Sequence, residues 1–353
     1  MLPEWVNVSC PVPSISHREA ALERQSQLTK PAGALGRLET LAIDLAGLQF
    51  TDQPRASRVP IIVFAGDHGI AAQGVSAYPQ DVTVAMLANF AAGGAAISIL
   101  AREAGARLEV VDAGSRAQTP MHGVLTDKPR NGSRDFSQHA ALDPGDLVYT
   151  FETGRRAVQR ALTDKPDLLI LGEMGIGNTT SSAAIAAALI GVPAASIAGN
   201  GTGLDSAGRA HKVHIIEAAL ARHRLREPDV AAENVLLTVG GLEIAALTGA
   251  ILSAAQAGLP VLIDGFIVSV AALAAARLNA SCRPYLIFSH RSAEQGHHVV
   301  LAELDARPLL DLDLRLGEGS GAALALPIVR LACALHNGMA TFAEAAVPDR
   351  SAS

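Results

Sequence analysis

The sequence predicts an α/β fold: a doubly wound, mostly parallel sheet with helices on both faces, plus a small helical domain built from the N- and C-terminal segments. Short apolar runs recur along the chain, each closing on a glycine or a polar cluster. Unbroken β-branched runs of this length suit strands buried on both faces of a parallel sheet. Stretches of helical pattern, long enough to serve as crossovers, separate the runs. Polar residues gather at the carboxyl ends of the runs, the rim where an open parallel sheet binds ligands.

In chain order, residues 14–28 and 34–48 read as helices split by KPAGALG (30–36). The runs follow as VPIIVFAG (59–66), RLEVVDAG (107–114), PDLLILGE (166–173), NVLLTVGG (234–241), LPVLIDG (259–265) and PYLIFSH (284–290). Residues 79–102, 178–190, 205–222 and 241–257 supply the intervening helices. The rim residues are Asp67, His68, Asp112, Glu173, Glu243, Asp264, Ser289 and His290. Beyond Arg291 no strand is expected, and 292–304 and 320–345 read as helices around the loop LDLDLRLGEGSG. The expected division is a large Rossmann-like α/β domain over 29–291, with 1–28 and 292–353 forming a small helical domain that completes the site.

Hydrophobic residues make up 49% of the 353-residue chain but aromatics only 3%, so the core is expected to be Ala, Leu, Val and Ile. A net charge of −6, with no basic stripe interleaved with aromatics, points away from nucleic acid. Cys10, Cys282 and Cys333 are far apart and form no CxxC, as expected of reduced thiols in a cytoplasmic protein. The amino terminus has acids and prolines where a signal peptide needs basic and apolar runs. The most apolar stretches, 183–199 and 244–276, are interrupted by Pro193, Pro260 and Asp264, so a soluble chain without membrane spans is expected.

MGIGNTT follows the third run and opens an Ala-rich helix. Gly175 and Gly177 let backbone N–H groups approach an anion, and Asn178 or Thr179 can cap the helix that follows. A tight strand–helix turn explains the same residues. GNGTGLD (199–205) is a second glycine loop, with Lys212 two turns later as either a phosphate contact or a solvated lysine. His68, His290, His297 and His298 show no metal-ligand spacing, and no metal site is expected. In LRLGEGSGAALAL (314–326), Glu318 stands between two glycines ahead of an apolar helix. A carboxyl held against apolar walls is a candidate general base; an exposed loop acid is the other reading. Asp311 and Asp313 look like solvated partners of Arg315.

The blocks KPAGALGRLE, FAGDHGIAAQGVSAYPQDVT, NFAAGGAAI, GEMGIGNTTSSAA, GNGTGLD, GGLEIAALTGAI, LIDGFI, SHRSAEQGH and LGEGSGAALAL, in order over roughly residues 30–345, resemble the nicotinate-nucleotide–dimethylbenzimidazole phosphoribosyltransferase family. The resemblance implies transfer of a 5-phosphoribosyl group from nicotinate mononucleotide to a benzimidazole-type base, by a homodimer with no cofactor and no metal. It implies Glu318 as general base and Glu173 as the carboxylate beside the cationic ribose. It places the donor's phosphate and ribose on Gly175, Ile176, Gly177, Asn178, Thr179 and Thr180, with Gly203, Lys212, Gly265 and Ser292. The base pocket falls on Tyr78, Met86 and Met174, an apolar and adaptable set. Asn200 stands where the GRGTG form of the second glycine loop has arginine. The alternatives are a non-catalytic nucleotide- or azole-binding protein, which would keep the cradle but tolerate loss of Glu318, and a different phosphoribosyltransferase or phosphorylase on the same scaffold.

Overall fold

A computed structural model describes residues 1–201, 203–227 and 230–348. Thr202 of the GNGTGLD loop, and residues 349–353 of the C-terminal segment, lie outside the described residues. The first half of the chain forms α1 (Ile15–Gln27), α2 (Arg37–Leu48), β1 (Ile61–Gly66), α3 (Asp81–Ala92), α4 (Ala96–Glu103), β2 (Leu108–Gly114), β3 (Leu125–Thr126), α5 (Pro144–Leu162) and β4 (Leu169–Met174). Then come α6 (Asn178–Ile190), α7 (Ala194–Ile197), α8 (Ser206–Arg222), α9 (Ala232–Val239), α10 (Leu242–Gln256), β5 (Val261–Ile263), α11 (Phe266–Leu278) and β6 (Leu286–Phe288). The chain continues through β7 (His290–Arg291), α12 (His297–Glu303), β8 (Leu310–Asp311) and α13 (Ser320–Gly338).

Six parallel strands lie in the order β3-β2-β1-β4-β5-β6. That order reverses direction between β1 and β4, the switch point outside which a doubly wound sheet leaves a crevice. Alternate side chains then divide the core. Ile62, Phe64, Leu169, Leu171, Val261 and Ile263 face one helical layer that includes α5, α6, α10 and α11. Ile61, Val63, Ala65, Ile170 and Leu262 face the other, made by α2, α3, α4 and α13. Small residues let the helices approach closely: a Cβ at Gly154 of α5 would overlap the carbonyl of Ala246 in α10. Local signals start the helices, α1 and α8 where the sequence places them and α5 over a stretch that was not assigned. Ser14 accepts from the His17 amide, Asp205 accepts from Gly208 N at 2.8 Å, and α5 opens on Pro144 inside an Asp143/Asp146 capping box.

Five of the six predicted runs are strands, and the sixth is not. NVLLTVGG lies largely in α9, whose Val235, Leu236, Thr238 and Val239 are all buried. Its buried Ala232, Val235, Leu236 and Val239 follow helical spacing, but a short Val- and Leu-rich run closed by two glycines reads equally as a strand. The sheet instead gains β3, a two-residue edge strand paired to β2 through Val111 and Asp112. A strand also follows the last run: β8 pairs in parallel with β7, His290 opposite Leu310. The predicted helix over 79–102 is broken at Gly93, whose φ is 82°, and the one over 320–345 ends at Gly338.

By length and apolar composition Asp81–Glu103 and Ser320–Gly338 could each cross a membrane, but the first is the broken pair α3–α4 and half of the second is buried. The apolar stretches 183–199 and 244–276 are spread over α6, α7, α10, β5 and α11 within the main core. All three cysteines are buried and unpaired, and burial pushes the Cys282 and Cys333 thiols up to about 12.

Candidate active site

The carboxyl ends of β1 and β4 meet at the switch point, with Phe64 opposite Glu173 and Ala65 opposite Met174. Beyond β4 the chain turns through Gly175, Ile176 and Gly177 into α6, and beyond β5 through Asp264 and Gly265 into α11. Both turns open on a small cavity of about 110 Å³. The predicted residues Glu173, Met174, Gly175, Ile176, Asn178, Thr179, Gly265 and Ser292 line it. A neighbouring space of about 620 Å³ shares Gly201, Glu294, Arg315 and Leu316 with it, and includes the predicted Tyr78 and Gly203.

The α6 turn differs in detail from expectation. Neither Asn178 nor Thr179 caps the helix; Gly177, with φ at 96°, is the N-cap residue. The Asn178 amide instead donates to the Glu173 carboxylate, and the Thr179 hydroxyl accepts from Lys212 Nζ at 2.8 Å. The Ile176 amide donates to the Thr83 hydroxyl of α3 at 3.1 Å. Thr180 is fully buried, its hydroxyl without a partner, and lines neither space. Lys212 is 1% exposed, and burial lowers its ammonium to about 8, with Glu294 pulling the other way. It reaches the cavity wall through Thr179 and the backbone of Gly201.

Glu318 comes to β4 from the far end of the chain. Its backbone is left-handed, φ 66°, between Gly317 at 89° and Gly319 at 86°, three successive residues in a region side chains avoid. Neighbours hold this turn in place. Glu318 N donates to the Glu173 carbonyl at 3.2 Å, and Ile97 N of α4 donates to the Glu318 carboxylate at 3.2 Å. Asp264 accepts from Gly319 N at 3.2 Å and Ala322 N at 2.9 Å, anchoring the start of α13. Two glycines make the approach possible: a Cβ at Gly172 would overlap the Glu318 carbonyl, and one at Gly317 would overlap the Glu173 carboxylate.

Acids therefore converge, and among the described residues only His68 and His290 pair with any of them. Burial pushes Glu173 well above the usual carboxylate range, and the charges of Asp264, Glu243 and Glu318 push it the same way against the Asn178 hydrogen bond. Burial also raises Glu318, with Asp264 adding to it and the Ile97 amide opposing. Asp264 is raised by burial, opposed first by His290, whose Nδ1 lies 3.8 Å away. Glu243 and His68 form a fully buried pair at 2.6 Å beneath the Gly175 backbone. Such a cluster has a vacancy for positive charge, and the turn beside it presents backbone and a lysine suited to negative charge.

Several of these residues escaped the sequence reading. Thr83 and Ile97 end two of the family-like blocks but were given no role, because their partners lie 93 and 221 residues away. Asp264 was visible only as a polar residue after a strand. Arg315 was assigned to Asp311 and Asp313, but Asp311 pairs with Arg291 at 2.5 Å, and Arg315 has no ion-pair partner among the described residues. Met86 packs against the same apolar cluster as Met174, while Tyr78 is 55% exposed over the larger space.

A family model described as phosphoribosyltransferase matches residues 10–347. The chain is 68% identical over 352 residues to a nicotinate-nucleotide–dimethylbenzimidazole phosphoribosyltransferase of Bradyrhizobium diazoefficiens, and 54% identical over 353 residues to one of Pseudomonas putida, with all of each chain covered. A crystal structure of the protein of that name from Thermus thermophilus superposes with a TM-score of 0.90 at 42% identity, covering 95% of this chain and 99% of that one.

Proposed function

The chain belongs to the nicotinate-nucleotide–dimethylbenzimidazole phosphoribosyltransferase family, and from that premise we propose that it transfers the 5-phosphoribosyl group of nicotinate mononucleotide to 5,6-dimethylbenzimidazole or a related lower-ligand base. The products are α-ribazole 5′-phosphate and nicotinate, a step in assembling the nucleotide loop of cobamides. The enzyme is a pentosyltransferase. One observation carries the specific reading: an anion-suited turn and a cluster of buried acids share one cavity. Nicotinate mononucleotide has the matching form, a phosphate at one end and a pyridinium on the ribose at the other.

In this reading the phosphate lies against the α6 turn, with Gly175, Ile176, Gly177, Asn178 and Thr179 forming its bed and Thr180 buried behind them. Lys212, Gly203, Gly265 and Ser292 complete it. The pyridinium then supplies the positive charge that the acid cluster lacks, and Glu173, freed of its proton by that charge, faces the ribose. A ring nitrogen of the benzimidazole attacks C1′ as the C1′–N bond to the pyridinium breaks, inverting C1′ from β to α. Positive charge grows on the ribose in the transition state and Glu173 stabilises it. The other ring nitrogen of the acceptor gives its proton to Glu318, and nicotinate leaves with a neutral ring nitrogen, so no general acid is needed.

The base pocket is assigned to Tyr78, Met86 and Met174, supported by the place of Met174 on the cavity wall. We divide the chain into a large domain over 29–291 and a small helical domain from 1–28 and 292–353, supported by Ser292, Gly317 and Glu318, which reach the site from the second segment. We take the enzyme to be cytoplasmic and a homodimer, the dimer supported by the exposed Ile15, Leu22, Leu324 and Leu331 of α1 and α13. Glu318→Gln tests the chemistry. It should fold as the wild type by circular dichroism and lose about 10²- to 10⁴-fold in turnover, the range of a general base, with product followed by mass spectrometry. Near-wild-type turnover at saturating nicotinate mononucleotide and benzimidazole would refute the assignment.

A further inference from the structure

Arg315 lines both the 110 Å³ cavity and the 620 Å³ space beside it. It is exposed and, among the described residues, makes no ion pair or hydrogen bond. The nearby acids do not claim it: Asp311 is paired with Arg291, and Glu294, which lines the same two spaces, makes no ion pair with it. Its backbone lies two residues before Gly317, where a Cβ would overlap the Glu173 carboxylate. Arg315 therefore serves the Glu173 end of the cavity, while Lys212, bonded to Thr179, serves the α6 end.

We propose that Arg315 binds the carboxylate of the donor's pyridine ring and so makes the enzyme select nicotinate over nicotinamide nucleotides. The proposal rests on the transfer reading above, which sets the pyridinium at the Glu173 end. That donor carries two anionic groups, a phosphate and a ring carboxylate, and Lys212 can meet only the first. The second must enter a region that already holds Glu173, Glu243, Asp264 and Glu318. A free carboxylate is repelled there unless a cation meets it, whereas an uncharged carboxamide is not. A guanidinium gives the planar two-bond fork that a carboxylate takes and an amide cannot fill. Its position on an exposed loop, ahead of the rigid Gly317–Gly319 turn, leaves the side chain free to close over the ring.

The test compares wild type, Arg315→Met and Arg315→Lys with nicotinate mononucleotide and nicotinamide mononucleotide. Kd for each nucleotide is read by calorimetry and kcat/KM by product mass spectrometry at saturating benzimidazole. Arg315→Met should weaken nicotinate mononucleotide about 10- to 100-fold, the worth of a charge-assisted pair, and change nicotinamide mononucleotide by less than about 3-fold. Arg315→Lys, which keeps the charge but loses the fork, should fall between. Equal losses for both nucleotides would mean that Arg315 meets the phosphate or only shapes the loop, and unchanged binding of both would mean it touches neither; each overturns the proposal. The Kd arm stands apart from turnover: a wild type that binds the nucleotides but transfers nothing would refute the reaction, not the role of Arg315.

Discussion

Glu173 and Glu318 were both visible as acids beside glycines, but their burial depends on residues far away in the chain. The amide of Ile97 and the carboxylate of Asp264 lie 221 and 54 positions before Glu318, and no local spacing announces either. Lys212 likewise reads as either a phosphate contact or a solvated lysine, and only the fold shows its side chain buried, with its ammonium lowered to about 8. A pH prediction follows from the two directions. Glu318 works as a base only when deprotonated, and its carboxyl is raised, so kcat/KM for the donor should rise with pH through a value above the ordinary carboxylate range. Lys212 holds the phosphate only when protonated, so kcat/KM should fall again as pH passes about 8. In Lys212→Arg the alkaline fall should move beyond the measurable range, because a guanidinium stays charged. A steady-state pH profile that remains flat from 7 to 10 in the wild type would rule out this role for Lys212.

At the scale of elements, the site is a contact between a strand and a turn. β4 passes under the Gly317–Gly319 turn so closely that Gly172 leaves no room for a side chain. Gly172→Ala must push the Glu318 backbone away, since the atoms it meets are main chain rather than a flexible side chain. Overpacking of this kind costs about 1–3 kcal/mol, and displacing a catalytic group by about 1 Å costs about 10²-fold in rate. The variant should therefore melt earlier by calorimetry and lose transfer together. Unchanged melting and unchanged turnover would show that the turn is not seated on β4. Elements with glycine or capping signals at their ends were legible in the sequence, as for α6 and α8. α9 was not, because a run of eight residues rich in Val and Leu is too short for its helical spacing to exclude a strand, and neither β3 nor β7–β8 was, because two-residue strands exist only through their partners.

At the scale of the molecule, the prediction concerns assembly. A homodimer that covers the exposed apolar residues of α1 and α13 should sediment at micromolar concentration with about twice the 36.4 kDa of one chain. A single 36.4 kDa species would exclude it. The sequence by itself determined the α/β class, the parallel strands with glycine-bounded ends, and the residue types at the rim, because runs of apolar residues and turn glycines act through local backbone and solvation preferences. It also identified the family, through long blocks kept in order. The tertiary structure alone decided the order β3-β2-β1-β4-β5-β6, the convergence of Glu173, Glu243, Asp264 and Glu318, and the free state of Arg315. The physical reason is that a carboxyl's proton affinity and an arginine's availability are set by burial and by charges within a few ångströms. Those neighbours arrive from remote parts of the chain only when the sheet has closed.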